Sequence, residues 1–177
     1  MKMLKKLLAV VLTGAMALTL FTACGSNAVR DKDIADALNN IVKLNDSEVT
    51  FTPRAKEREM AQKLAALLES HSENDSDSAE LSAKIQGILG IDQGGVNENN
   101  FVWVQNALTD KLGAEGQAFQ VMESLTDKGG AYNFSSLGSK EPADTRYMGT
   151  ALCKIPDQKD NLVTVRVIVV TAKAEDE

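Results

Sequence analysis

The chain contains few of the residues that catalytic and metal sites use most often. Its 177 residues include one histidine, His71, and two cysteines, Cys24 and Cys153. A serine–histidine–aspartate triad or a cysteine–histidine pair is excluded unless His71 serves as the base. Zinc sites built from several histidines or cysteines are excluded as well. The sequence therefore predicts neither a metal ion nor a cofactor.

Motifs that bind phosphate or calcium are also missing. The glycine pair Gly94-Gly95 does not belong to a dinucleotide-binding turn, and the chain has no P-loop and no serine nucleophile motif. An acidic stretch from Glu73 to Glu80 invites a calcium interpretation. Counted from Asp75, however, positions six and twelve of an EF-hand loop are Glu80 and Gln86, where glycine and glutamate are required. A solvated loop explains this stretch better.

Positive charge is scarce in the part of the chain that follows residue 23. The whole sequence has 19 basic and 25 acidic residues. Residues 1–23 hold three of the lysines and no acid, so the remainder carries 16 basic and 25 acidic residues, a net charge of −9. Because an acidic domain is repelled by phosphate backbones, we expect no nucleic-acid partner.

The first 23 residues have the composition of a secretory signal peptide. Three lysines lie within Met1–Lys6, and an almost wholly apolar run follows from Leu7 to Ala23. Seventeen residues are short for a membrane-spanning helix, which needs about 20. No basic stop-transfer segment follows the run. We therefore expect residues 1–23 to be removed during export.

The end of this run resembles a bacterial lipobox. It reads Leu20-Phe21-Thr22-Ala23-Cys24-Gly25-Ser26. Phe21 departs from the family pattern, which prefers leucine. The resemblance implies that Cys24 is acylated, for instance with palmitate, and becomes the first residue of a lipoprotein held at the extracytoplasmic face of the cell membrane. Residues 24–30 would then be a short lipidated tether, and Cys153 would be left as an unpaired, buried thiol.

Apolar periodicity predicts helices in the first two thirds of the remaining chain. Apolar residues recur at helical spacing, as in Ile34, Leu38, Ile41 and Val42. A helix stop signal follows several of these stripes, and Gly90 is one of them. The predicted helices are 31–44, 53–70, 77–90, 101–112 and 115–128, with a short strand at 48–52. Phe101-Val102-Trp103-Val104 leaves open a strand at the start of the fourth helix.

The last third changes to the two-residue period of strands. Strands are predicted at 147–155 and 162–173, joined by a hairpin loop at 156–161. The second is apolar on both faces, which indicates a central strand with layers above and below. The fold class is therefore α+β: N-terminal helices packed on an antiparallel sheet with a C-terminal hairpin, with an α–β–α sandwich as one form. Residues 31–173 form one domain, and 174–177 form a frayed acidic tail.

Few residues are candidates for contact with a ligand. Trp103 and Tyr147 are the aromatic candidates, although a core position is the simpler explanation for each. His71 lies at a helix end, where a helix-capping cation is the simpler explanation. No catalytic residue can be assigned from the sequence.

The order of elements resembles the cysteine-rich secretory protein (CAP) superfamily, an α–β–α sandwich. The matching stretches are Ile41–Asn45, Arg58–Leu68, Asn97-Glu98-Asn99, Tyr147–Ala151 and Val163–Val170. The family cavity usually holds two histidines and two acids. The resemblance implies that His71 corresponds to one histidine and that Glu98 and Glu123 are remnants of the acids. Residues 115–128 contain no second histidine, which puts a metal-binding cavity in doubt.

Taken together, these patterns favour a non-catalytic binding or scaffolding lipoprotein of the cell envelope. Its predicted partners are the membrane, through the lipid anchor, and an envelope protein or cell-wall ligand that the sequence does not identify. The alternatives are an envelope hydrolase-like enzyme with a cleft of carboxylates and a degenerate CAP-like domain.

Overall fold

The structure is a computed structural model, and it describes residues 29–70, 78–91, 100–109, 112–126, 140–157 and 161–175. Within these ranges the chain forms four helices and five strands. In chain order they are α1 (Asp31–Leu44), β1 (Thr50–Pro53), α2 (Ala55–Ser70), α3 (Ser78–Leu89), β2 (Asn100–Leu108), α4 (Ala114–Thr126), β3 (Glu141–Pro142), β4 (Thr145–Pro156) and β5 (Leu162–Glu175).

The five strands form one sheet in which β5 is central. The strand order is β1-β4-β5-β2, and the short β3 pairs with the end of β5. β4 and β5 are antiparallel from Tyr147 opposite Thr171 to Pro156 opposite Leu162. β2 is also antiparallel to β5, whereas β1 runs parallel to β4. The predicted α+β class, the C-terminal hairpin and the central position of the last strand are confirmed.

Helices cover both faces of this sheet. On the face that carries Trp103, which we call the Trp103 face, α1 and α4 pack on Ile168 and Val170. On the opposite face, called the Cys153 face, α2 and α3 pack on Val165 and Val167. The layers are therefore helix, sheet and helix. The apolar residues of β5 alternate between the two cores, which explains why its sequence is apolar on both sides.

Helix α2 closes the edge of β4 that β1 leaves unpaired. The Arg54 amide donates to the Met148 carbonyl at 2.8 Å, and a Glu69 carboxylate oxygen accepts from the Lys154 amide at 2.8 Å. Between these points the first turn of α2 lies directly against Gly149. A Cβ built on Gly149 would lie 1.9 Å from the Arg58 backbone nitrogen, so only glycine fits there. This contact covers an edge that could otherwise pair with another chain.

The largest difference from the predicted elements concerns residues 100–108, which form β2 and not a helix. Phe101, Val104 and Leu108 fit a helical stripe by spacing, but the segment is rich in β-branched and aromatic residues. Since its first half is buried on both faces, β2 lacks the alternation that identifies a half-buried strand. The N-terminal boundary of α2 also differs: β1 continues to Pro53, and the helix begins at Ala55.

Other predicted details agree with the structure. Gly90 ends α3 with a φ of 67°, the left-handed conformation expected of a helix C-cap. Cys153 is a free, buried thiol, and burial raises its pKa to about 11. Ala174 and Glu175 differ from the expected frayed tail, because both pair with β3. None of the helices within the described ranges has the length and apolar character needed to cross a membrane.

Candidate functional site

The structure separates the residues that the sequence singles out. Trp103 lies fully buried on the Trp103 face. Tyr147 is half-buried on the Cys153 face, and Glu123 is exposed on α4. Cys24, His71 and Glu98 lie outside the described residues. The structure therefore does not bring Trp103, Tyr147 and Glu123 together in one site.

Arg146 is a charged residue at an inward-facing position of the sheet. It is the second residue of β4 and lies in register with Phe51 of the neighbouring strand. Because side chains alternate along β4, Arg146 points to the same side as Met148, which is the Trp103 face. Only 3% of the residue is exposed. A charged side chain is thus held inside an apolar layer.

The surroundings of the Arg146 guanidinium offer it little compensation. Its central carbon lies 4.9 Å from the centroid of the Trp103 ring. The Trp103 ring is itself stacked on Phe101, with centroids 5.6 Å apart. Among the described residues, Nε and Nη1 of Arg146 have no hydrogen-bond partner. Burial lowers the pKa of Arg146 to about 10, and the charge of the exposed Asp144 opposes this shift only in part.

This arrangement leaves a buried cation with unused donors. A buried guanidinium whose N–H groups are only partly paired carries a desolvation penalty of several kcal/mol. A cation–π contact with tryptophan returns about 2 kcal/mol when it is desolvated. The remaining deficit is removed when an oxyanion accepts from the free N–H groups, because the planar guanidinium matches a carboxylate or phosphate. Arg146 is therefore the candidate for contact with an anionic group in the part of the chain that the structure describes.

Arg166, on the same face, shows what a fully compensated arginine looks like in this fold. Nε donates to Gln117 Oε1 at 2.7 Å, Nη1 to Thr150 Oγ1 at 2.9 Å, and Nη2 to the Val29 carbonyl at 2.9 Å. Thr150 in turn donates to Asp31 at 2.7 Å. Burial lowers the Arg166 pKa, and Asp31 and Asp33 oppose this shift. Each of the three nitrogens of this guanidinium therefore has a partner inside the domain.

A second compensated charge lies on the Cys153 face. The fully buried Glu57 accepts hydrogen bonds from both Arg54 and Thr171. Burial raises the Glu57 pKa, but these hydrogen bonds outweigh it, so the pKa lies below its ordinary value. The Arg54 guanidinium stacks on Tyr147 with 3.9 Å between its central carbon and the ring centroid. The position of Tyr147 is thus explained by this cluster.

Sequence patterns did not identify Arg146, although one signal was present. The predicted strand began at Tyr147, which left Arg146 in the preceding loop. Had the strand been extended by one or two residues, alternation would have placed Arg146 on the same side as Met148 and Thr150. An inward-facing arginine at a strand start is unusual enough to mark a candidate site.

Neither a metal-binding cluster nor a known relative suggests another site within the described residues. Among the residues that the structure describes, no three histidine, cysteine, aspartate or glutamate side chains lie close enough to hold a metal ion together. No protein-family model, no curated protein and no solved structure matches the chain. The CAP resemblance and the lipobox resemblance therefore stay predictions from the sequence.

Proposed function

We propose that this protein is a lipoprotein of a bacterial cell envelope whose domain binds the carboxylate of an envelope partner at Arg146, without catalysis. The proposal is based on the buried guanidinium of Arg146, whose Nε and Nη1 have no partner among the described residues and lie beside the Trp103 ring. The domain is held at the extracytoplasmic membrane surface by acyl groups on Cys24. Because the domain as a whole is acidic, it attracts an anionic group only at this one cationic side chain. The anionic group of the partner should therefore be small.

The choice of a carboxylate follows from the shape and burial of Arg146. A guanidinium presents its N–H groups in one plane and pairs with the two oxygens of a carboxylate. Only 3% of Arg146 is exposed, and so deep a position favours a small planar group over a branched phosphate ester. Carboxylate groups of an extended chain, such as a peptide terminus, meet this requirement.

The ligand chemistry is tested by thermal unfolding of the full-length protein in mild detergent. Acetate, succinate and phosphate are compared with sodium chloride at constant ionic strength. A ligand that binds only the folded state stabilises it by about 2.7 kcal/mol at one hundred times its Kd. In a protein of this size, each kcal/mol of added stability raises Tm by roughly 2–4 °C. We expect a larger rise with the carboxylates than with phosphate.

Two variants show whether Arg146 is responsible. Arg146→Met removes the guanidinium and should abolish the rise in Tm. Arg54→Met removes a partly exposed guanidinium that stacks on Tyr147 on the opposite face, and should leave the rise unchanged. A carboxylate-dependent rise that persists in Arg146→Met, or the absence of any rise in the unaltered protein, would contradict the proposed ligand.

The anchor is tested separately by Cys24→Ala in a bacterial host supplied with labelled fatty acid. The unaltered protein should take up the label and fractionate with membranes. The variant should take up none, and should either be released or keep its signal peptide. Labelled fatty acid in the Cys24→Ala protein would show that the acylated residue lies elsewhere.

A degenerate CAP-like domain is the second candidate, and the layered fold favours it. Helices cover both faces of a sheet that ends in a hairpin of β4 and β5, as the resemblance implies. A crystal structure that places His71, Glu98 and Glu123 around one cavity would support this candidate. Wide separation of the three side chains would exclude a cavity of the CAP type.

A further inference from the structure

The chain enters the domain at a fixed point. Val29, the first described residue, packs partly buried against the core of the Trp103 face. The guanidinium of Arg166 donates to its carbonyl at 2.9 Å. Arg166 is bound in turn to Gln117 and Thr150, so Val29 is tied to α4 and β4 as well as β5. The segment that leads to Cys24 therefore starts from a rigid part of the fold.

The length of that segment limits how far the domain can lie from the bilayer. Val29 is five residues from Cys24, and an extended chain spans at most about 3.6 Å for each residue. An acylated Cys24 is thus within roughly 18 Å of Val29. The opposite end of β5 lies nine residues beyond Arg166, or roughly 30 Å along the strand. The membrane is therefore closer to the end of the domain that carries Val29.

Exposed apolar side chains collect at this same end. Leu108 is in register with Val165, next to Arg166. Phe119 lies on α4, two residues after Gln117. The next residue, Gln120, accepts a hydrogen bond from the Leu108 amide. Leu162, at the hairpin, is 71% exposed and lies four residues from Arg166. We call Leu108, Phe119 and Leu162 the apolar end.

The other end of the domain differs in this respect. Within the described ranges only one further large apolar side chain is exposed, Leu44, at 68%. It ends α1, whose 14 residues extend about 20 Å from Asp31. Asp31 accepts from Thr150 near Arg166, whereas Asn39 bonds the backbone of Phe51 further along the sheet. Leu44 thus lies away from the apolar end. It serves as a control for Leu162, because the two side chains are almost equally exposed.

We infer that the apolar end rests on the outer surface of the lipid bilayer, with Leu162 and Phe119 at the headgroup boundary and Arg146 directed away from the membrane. The inference rests on the proposed lipid anchor at Cys24. Contact with lipid explains why three large apolar side chains stay exposed beside the point where the tether enters. It also leaves the candidate ligand site at the opposite end of the Trp103 face, away from the bilayer.

The test uses the full lipidated protein with a fluorescent probe on one introduced cysteine. Leu162→Cys, Phe119→Cys and Leu44→Cys are each made with Cys153→Ala, which removes the buried thiol. Each labelled protein is reconstituted into phosphatidylcholine vesicles that carry a nitroxide quencher on the acyl chains. Flotation with the vesicles is measured first, and quenching of the probe is measured on the floated protein.

We expect all three labelled proteins to float, with strong quenching at residues 162 and 119 and little at residue 44. Equal quenching at the three positions, or strong quenching at residue 44 alone, would overturn the orientation while the anchor stands. Failure of the proteins to float would overturn the anchor itself. A fourth protein, Leu162→Asp combined with Phe119→Cys, should float but lose much of the quenching at residue 119.

Discussion

Two arginines lie on the same face of one sheet, and their surroundings differ sharply. Arg146 on β4 and Arg166 on β5 are each 3% exposed. Arg166 donates hydrogen bonds from all three of its nitrogens, whereas Nε and Nη1 of Arg146 donate none to any residue within the described ranges. Burial alone therefore does not identify a functional charge. The set of partners does, because a compensated charge is already part of the structure.

The difference can be traced to what each part of the chain places nearby. Around Arg166, polar side chains arrive from α4, β4 and the start of α1, namely Gln117, Thr150 and Asp31. Around Arg146, the described contacts are with the Trp103 ring and the exposed Asp144. We therefore expect mutation of Arg166 mainly to lower the stability of the fold, and mutation of Arg146 mainly to weaken the binding of an anion.

The largest effect is expected for Arg166→Met. The variant removes three donors and leaves Gln117, Thr150 and the Val29 carbonyl with unmet hydrogen-bonding capacity. Each buried acceptor left without a donor costs about 1–3 kcal/mol, so the loss of three donors should exceed the loss of any single hydrogen bond. Urea unfolding of the full-length protein measures the loss. A loss below that of Arg146→Met would break the comparison.

A smaller loss is expected for Thr150→Val, which keeps the side-chain volume. Its hydroxyl accepts from Arg166 and donates to Asp31, so both partners lose one hydrogen bond. The expected cost is about 1–3 kcal/mol in the free energy of unfolding. Thr145→Val is the matched control, since Thr145 is exposed in the same strand and should change stability by less than about 0.5 kcal/mol. Equal effects of the two valines would show that the network contributes nothing.

The smallest change in stability is expected for Arg146→Met. The variant loses a cation–π contact but also removes a buried charge whose Nε and Nη1 have no partner among the described residues. Replacement of such a charge by an apolar side chain of similar size is often neutral or stabilising. We expect the free energy of unfolding to stay within about 1 kcal/mol of the unaltered protein. Destabilisation as large as that of Arg166→Met would show that Arg146 is a structural residue.

Much of the fold could be predicted from the sequence because local patterns encode it. Helix α1 was predicted with its observed limits, Asp31–Leu44, since both its apolar stripe and its stop signal are local. The hairpin was predicted because alternation and a turn segment lie side by side. Residues 101–112 were predicted as a helix, with a strand at Phe101–Val104 left open, because the apolar spacing fits both periods and only the neighbouring β5 decides between them.

The candidate site could not be predicted, for reasons of distance along the chain. Arg146 and Trp103 come from strands that are not neighbours in the sheet, since β5 lies between β4 and β2. Single-sequence patterns treat an arginine as a surface residue. Whether a buried arginine keeps free donors depends on side chains from several elements, which no local pattern contains. For the same reason the Arg166 network, which joins Asp31 to Thr150, could not be foreseen.

Trp103 provides the most direct measurement of the proposed difference between the two arginines. It is the only tryptophan in the chain, and its ring faces Arg146 at 4.9 Å. Its fluorescence therefore reports on that guanidinium. Titration of the full-length protein with acetate at constant ionic strength should give a saturable change in emission that is absent in Arg146→Met and retained in Arg54→Met. An unchanged emission in the unaltered protein, or an equal change in Arg146→Met, would contradict the assignment of Arg146 as an open anion site.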